Sequence, residues 1–177
     1  MKNASMVGWM LCALLSPAAF AQADKVLEGK DVTESALVNA LTPEPRSRSI
    51  RITRDGAPAA PAKSPSASLL ITFETNSAQL TPRSKEQLEV VGRALKSDKL
   101  AEFRFSIEGH ADPRGNEAAN LRLSQLRAES VAGYLAERQQ IDRNRLKPVG
   151  KGQTELLNVA VPAAPENRRV TIRTLTE

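Results

Sequence analysis

Cysteine and histidine each occur once in this chain of 177 residues. The cysteine, Cys12, lies inside an N-terminal apolar stretch. The rest of the chain therefore has no disulfide to form and no thiol chemistry to perform. The single histidine, His110, excludes a two-histidine metal site. Neither Ser106 nor Ser124 sits with it in a nucleophile-elbow motif, so the inventory points away from an enzyme, and no cofactor is expected. Aromatic residues make up only 3% of the chain, which leaves no stacking platform for nucleic acid. Charge of one sign is not concentrated either. The net charge is +5, but residues 68–177 mix 17 Lys and Arg with 14 Asp and Glu. A nucleic-acid partner is not expected, and the modest basic bias suits an acidic polymer outside the cytoplasm. No internal repeat is present.

One long hydrophobic run exists, and it is at the start. Lys2 precedes an almost uninterrupted apolar stretch from Met6 to Phe20, followed by small residues around Ala21 and Ala23. This pattern predicts a cleavable secretory signal over residues 1–21, cut near Ala21 or Ala23. Trp9, Met10 and Leu11 stand before Cys12, where a lipoprotein signal carries small residues, so lipidation is not expected. No later run is long enough for a transmembrane helix, and no series of alternating ten-residue segments suggests a barrel.

Composition shifts over residues 24–67. Asp31 or Thr33 is placed to cap a short helix reaching Leu41, with Leu37 and Leu41 on one side. Arg46, Arg48, Arg51 and Arg54 follow, then a Pro/Ala/Ser-rich linker that cannot bury a core. The arginine cluster reads as a solvated run, with an anionic surface as the alternative. The short helix has little core of its own to join.

The folded domain is expected over residues 68–177. Leu69, Ile71 and Phe73 alternate as a strand. Thr81-Pro82 is a helix start, with Thr as N-cap and Pro in the first turn, and Leu88, Val91 and Leu95 make that helix amphipathic to about Lys96. Phe103, Phe105 and Ile107 alternate with Arg104, Ser106 and Glu108 as a second strand. A long helix spans residues 116–138. A short strand over 145–149 is weakened by Pro148, one short helix is expected within 150–167, and a closing strand runs over 169–175. The order predicts a two-layer α/β sandwich with helices on one face of a four-stranded mixed sheet.

Residues 107–130 carry the candidate site. On the long helix, Ala119, Leu121, Leu123, Leu126, Ala128, Val131, Tyr134 and Leu135 form a broad apolar arc. Asn120, Ser124 and Arg127 fall in its middle. A guanidinium at the centre of a buried face needs a partner, because an unpaired buried charge costs several kcal/mol. The residues alone leave two readings: an internal ion pair that ties the preceding loop to the helix, or a partly open pocket awaiting a ligand. His110 reads as a core-edge residue fixing the loop by hydrogen bonding.

Phe73, Asn76, Ser77 and Leu80 are followed by GHAD at 109–112 with Gly115. Asn120-Leu121, Leu123-Ser124, Arg127-Ala128, Gly150, Gly152 and NRRV at 167–170 come next. In these residues and their order the domain resembles the OmpA C-terminal-like family of peptidoglycan-binding modules. The GHADPRG form is similar to the peptidoglycan-associated lipoprotein branch, without its lipid anchor. The resemblance implies non-catalytic binding of peptidoglycan in the periplasm, with Asp112 and Arg127 holding the free end of diaminopimelate. Asp112 would accept from the ammonium, and Arg127 would fork onto the carboxylate. Asn120 would order the loop or touch the ligand, and Thr75, Asn76 and Ala111 would line the rim. Of Arg168 and Arg169, taken as oppositely facing strand neighbours, one would be structural and the other would face the site or the glycan. Ala119 stands where the family often has an aromatic, which implies a thinner pocket wall. The alternative function is an envelope adaptor that binds a protein partner through residues 24–56 or through the domain. Oligomeric state is not legible.

Overall fold

The computed structural model describes residues 26–43, 64–74 and 77–176. The leader over residues 1–21, the arginine cluster at Arg46–Arg54, and Thr75 and Asn76 lie outside the described residues.

Among the described residues five strands form one sheet in the order β1-β2-β5-β3-β4: β1 Val26–Leu27, β2 Ser66–Leu69, β3 Arg104–His110, β4 Leu146–Gly152 and β5 Val170–Leu175. β3 and β4 are parallel, as are β1 and β2, while β5 runs antiparallel to both β2 and β3. Among the described residues three helices, α1 Glu34–Leu41, α2 Pro82–Lys96 and α3 Glu117–Gln139, complete the layers. The parallel pair β3 and β4 is joined by the α3 crossover, the arrangement that parallel strands require. The α/β class holds, with five strands where four were expected.

Local chemistry starts each helix. The Thr81 hydroxyl accepts from the Ser84 amide at 3.3 Å, with Pro82 in the first turn. Asn116 caps α3 by accepting from the Ala119 amide at 3.1 Å. The core lies between the sheet and the helices: Leu69, Phe105, Ile107 and Ile172 meet Leu88, Val91, Leu95, Val131 and Leu135. The other side of the sheet is polar but also covered. There Ser68 bonds Thr171 at 2.9 Å, and Arg173 meets the buried Glu108 carboxylate at 3.2 Å.

Several expectations are corrected. The strand predicted through Phe73 ends at Leu69, because the Ile71 amide folds back onto the Leu69 carbonyl at 3.0 Å. Ile71 stays buried, and Phe73 keeps an isolated bridge to Leu80. β4 runs on to Gly152 despite Pro148, which the sheet tolerates because β4 is an edge strand. Between Gly152 and β5 there is no α-helix, only a 3-10 turn at Pro165–Asn167. The buried Asn167 side chain organises that segment instead. It accepts from the Leu157 and Asn158 amides at 2.8 and 2.9 Å and donates to the Pro162 carbonyl at 2.8 Å.

The short helix does have a core to join. Leu37 and Leu41 of α1 are fully buried, and the Thr174 hydroxyl donates to the Leu41 carbonyl at 2.6 Å. On α3 the expected apolar arc is narrower. Leu121 and Leu126 are 49% and 44% exposed, and the buried face is Ser124, Ala128, Val131, Ala132 and Leu135. The reason is the closeness of helix and sheet. A Cβ on Gly150 would fall 2.7 Å from the Gln125 nitrogen, and one on Gly109 would collide with the Ser124 carbonyl. Only small side chains fit on the helix face there.

Candidate functional site

β3 ends at His110, and the chain then turns through residues 111–116 into α3. Ala111 is buried, and its amide is committed to the Gly152 carbonyl at 2.7 Å, so it supports the loop from beneath. Asn120 orders the same loop. Its amide nitrogen donates to the Asp112 and Arg114 carbonyls, each at 3.1 Å, and to the Gln153 side chain at 3.0 Å.

Asp112 is 6% exposed and already paired. Arg114 meets its carboxylate with Nε and Nη2, the closest contact being 2.8 Å, and the Arg114 amide adds a bond at 3.2 Å. From the other end of the domain, Arg168 Nη1 reaches the same carboxylate at 2.8 Å. The Arg114 hydrogen bond, with that of Arg168, outweighs burial and holds the Asp112 carboxyl down at about 2. The internal ion-pair reading thus applies to Asp112, with Arg114 and Arg168 as the partners rather than Arg127. Arg114, two residues beyond Asp112, was not singled out from sequence. Its signal was the GHADPRG loop itself, in which an aspartate turn brings residue i+2 back onto the carboxylate.

Arg127 is different. It is half-buried on α3, donates Nε to the Ser77 carbonyl at 3.1 Å, and lies 4.9 Å over the Phe73 ring. Among the described residues no carboxylate lies within salt-bridge distance of it. Burial, and then the like charge of Arg168, push its pKa down, while Asp112 opposes.

Arg127 opens onto a cleft of about 280 Å³. Phe73 and the 70–72 segment form one wall, Gly109 and His110 another, and Pro165, Arg168, Arg169 and Val170 a third. Asp112 is not part of the lining; it is tied to the cleft through its bond with Arg168. Neither Arg168 nor Arg169 lies on β5, which begins at Val170, and both line this cleft. Only the strand placement differs from the expectation, and the two side chains still go to different partners. Arg168 is bound to Asp112, while Arg169 is 7% exposed and donates to the Glu155 carbonyl at 3.2 Å. His110 is 3% exposed, and its ring nitrogens make no hydrogen bond among the described residues, contrary to the role expected for it. Burial, followed by Arg169, pushes its pKa down to about 3, so the ring is neutral.

Glu108, His110 and Glu155 bring ligand atoms within 4.8 Å of one another. Glu108 is forked by Arg173, however, and Glu155 is held by Lys151 at 2.7 Å. With those cations committed and Arg169 alongside, a divalent ion would meet repulsion rather than a vacant acidic cage, and the group reads as an ionic network.

Comparison with known proteins identifies the family. The OmpA family model matches residues 72–169. The probable lipoprotein YiaD of Escherichia coli is 34% identical over 104 residues, covering 58% of this chain and 46% of that protein. The peptidoglycan-binding protein ArfA of Mycobacterium tuberculosis is 31% identical over 159 residues, covering 82% and 47%. The chain spans about half the length of these relatives. The peptidoglycan-associated lipoprotein of Burkholderia pseudomallei superposes with a TM-score of 0.50 at 25% identity, covering 61% of this chain and 89% of that one. No helix among the described residues is long and apolar enough to cross a membrane. With the family model covering more than half its length, the chain belongs to the OmpA family.

Proposed function

We propose that this protein binds peptidoglycan without catalysis, holding the free amino-acid end of diaminopimelate at the cleft beside Asp112 and Arg127, in the periplasm after export by its N-terminal signal. The observation that carries the reading is Arg127. Its half-buried guanidinium sits over Phe73 at the cleft and has no carboxylate partner among the described residues. A ligand carboxylate would take two parallel donors from it. Asp112, held ionised, supplies the opposite charge for the ligand ammonium. Asn120 and Ala111 keep the loop in place, and Arg168 stands at the junction. Thr75 and Asn76 belong to the same proposal as rim residues. The sequence likeness to ArfA, whose name records peptidoglycan binding, favours this ligand class over a protein partner.

The test is co-sedimentation with purified diaminopimelate-type sacculi, for the wild type and for Arg127→Ala with its fold checked by circular dichroism. Pelleting that is lost in the folded variant supports the proposal. No pelleting of the wild type would overturn it.

A further inference from the structure

We propose that Arg114 is an internal competitor for the ligand. Its side chain occupies the seat on the Asp112 carboxylate that a diaminopimelate ammonium takes, swings out to admit it, and so sets the affinity for the amine end. This rests on the function proposed above and names what regulates that site.

The Asp112 carboxylate is full. Its Oδ1 accepts from the Arg114 amide and from Arg114 Nε, each at 3.2 Å. Its Oδ2 accepts from Arg114 Nε at 3.2 Å and from Arg114 Nη2 and Arg168 Nη1, each at 2.8 Å. A carboxylate offers about four lone-pair directions, so no place remains for a further donor. The side chain is 8% exposed and does not line the cleft. An ammonium therefore reaches Asp112 only when one of the two guanidiniums leaves.

Arg114 is the one placed to leave. Its side chain is 66% exposed, against 40% for Arg168, and among the described residues its guanidinium bonds Asp112 alone. Arg168 Nη1 is held by the Ala163 carbonyl as well, at 3.3 Å. Departure needs no movement of the chain. The Arg114 amide bonds Asp112, and the Arg114 carbonyl accepts from Asn120 at 3.1 Å, so the backbone stays pinned while the side chain turns into solvent. Exposed ion pairs contribute little to stability, which makes the release easy. Replacing a guanidinium by an ammonium only exchanges one cation for another at Asp112. The net gain comes when the same ligand also gives a carboxylate to Arg127, which has none within salt-bridge distance among the described residues. The apparent affinity for the amine end is then lowered by the fraction of time that Arg114 holds the seat.

The experiment is calorimetric titration of the wild type and R114Q with the synthetic tripeptide L-Ala-γ-D-Glu-diaminopimelate, and with the same peptide acetylated on the diaminopimelate side-chain amine. R114Q is expected to bind the free-amine peptide about two- to fivefold more tightly than the wild type, the scale of one exposed ion pair removed as a competitor. It is expected to gain nothing for the acetylated peptide, which has no ammonium to seat. Equal or weaker binding of the free-amine peptide by R114Q, or an equal gain for both peptides, would overturn the competition. The Arg114 Nε–H signal of the wild type, followed by NMR, gives a second readout that does not depend on how well the variant folds. It is expected to shift when the free-amine peptide saturates the protein. A signal that stays in place with that peptide bound would overturn the competition while leaving diaminopimelate recognition standing. Failure of the free-amine peptide to bind the wild type would overturn the proposed function itself.

Discussion

Arg168 Nη1 lies 2.8 Å from Asp112 Oδ2, joining the loop after β3 to the turn before β5 across 56 residues of chain. Arg127, which helix periodicity places on a buried face in need of a partner, donates to the Ser77 carbonyl and lies over Phe73. The acidic and basic halves of the proposed site are therefore held by different contacts, and they should respond differently to substitution.

Loss of the Asp112 charge should be visible as a pH effect. Its folded pKa, about 2, lies below the ordinary 3.8. The carboxylate thus contributes stability above pH 4 that is lost as pH falls from about 4 to about 2. Urea unfolding should show the wild type losing roughly 1–2 kcal/mol more than Asp112→Asn across that window. Parallel profiles for the two proteins would contradict the paired state of Asp112.

Arg127→Ala should weaken diaminopimelate binding by roughly 1.5–3 kcal/mol, the scale for hydrogen bonds to charged groups. Stability should change by no more than about 2 kcal/mol, since among the described residues one half-exposed hydrogen bond and one ring contact are lost. Paired titration calorimetry and thermal melts separate the two effects. A variant that unfolds would make Arg127 a structural residue.

Gly109→Ala tests the approach of α3 to the sheet. The added Cβ meets the Ser124 backbone carbonyl, which cannot rotate away. A destabilisation of about 1–3 kcal/mol or more is expected. Gly115→Ala makes the contrast. Nothing lies within 4 Å of a Cβ there, and its φ of +96° leaves only backbone strain. If the two variants melt alike, the helix is not packed so closely.

Leu37→Ala should cost about 2–5 kcal/mol, since Leu37 is fully buried in the shared core. Denaturation of wild type and variant by circular dichroism gives the number. A neutral outcome would mean that α1 is an appendage, available to a partner as the adaptor reading supposed.

What the amino-acid order determined by itself was short-range. Thr81 with Pro82, the run of α3, and the alternation through Phe105 and Ile107 depend on residues within a turn or a pleat of one another, and those elements stand close to where they were read. The family likeness was legible for a related reason, because its motifs sit at turns and close approaches that only particular residues can make. Tertiary structure decided the rest. Whether Leu37 finds a core, whether Leu121 faces solvent, and which arginine reaches Asp112 depend on residues far apart in the chain. Periodicity gives the angle of a side chain about its own helix, but not what lies opposite. At the top of α3 it is glycine backbone that lies opposite, which admits Ser124 and turns Leu121 outward. At Asp112 it is the turn anchored by Asn167, and that turn delivers Arg168.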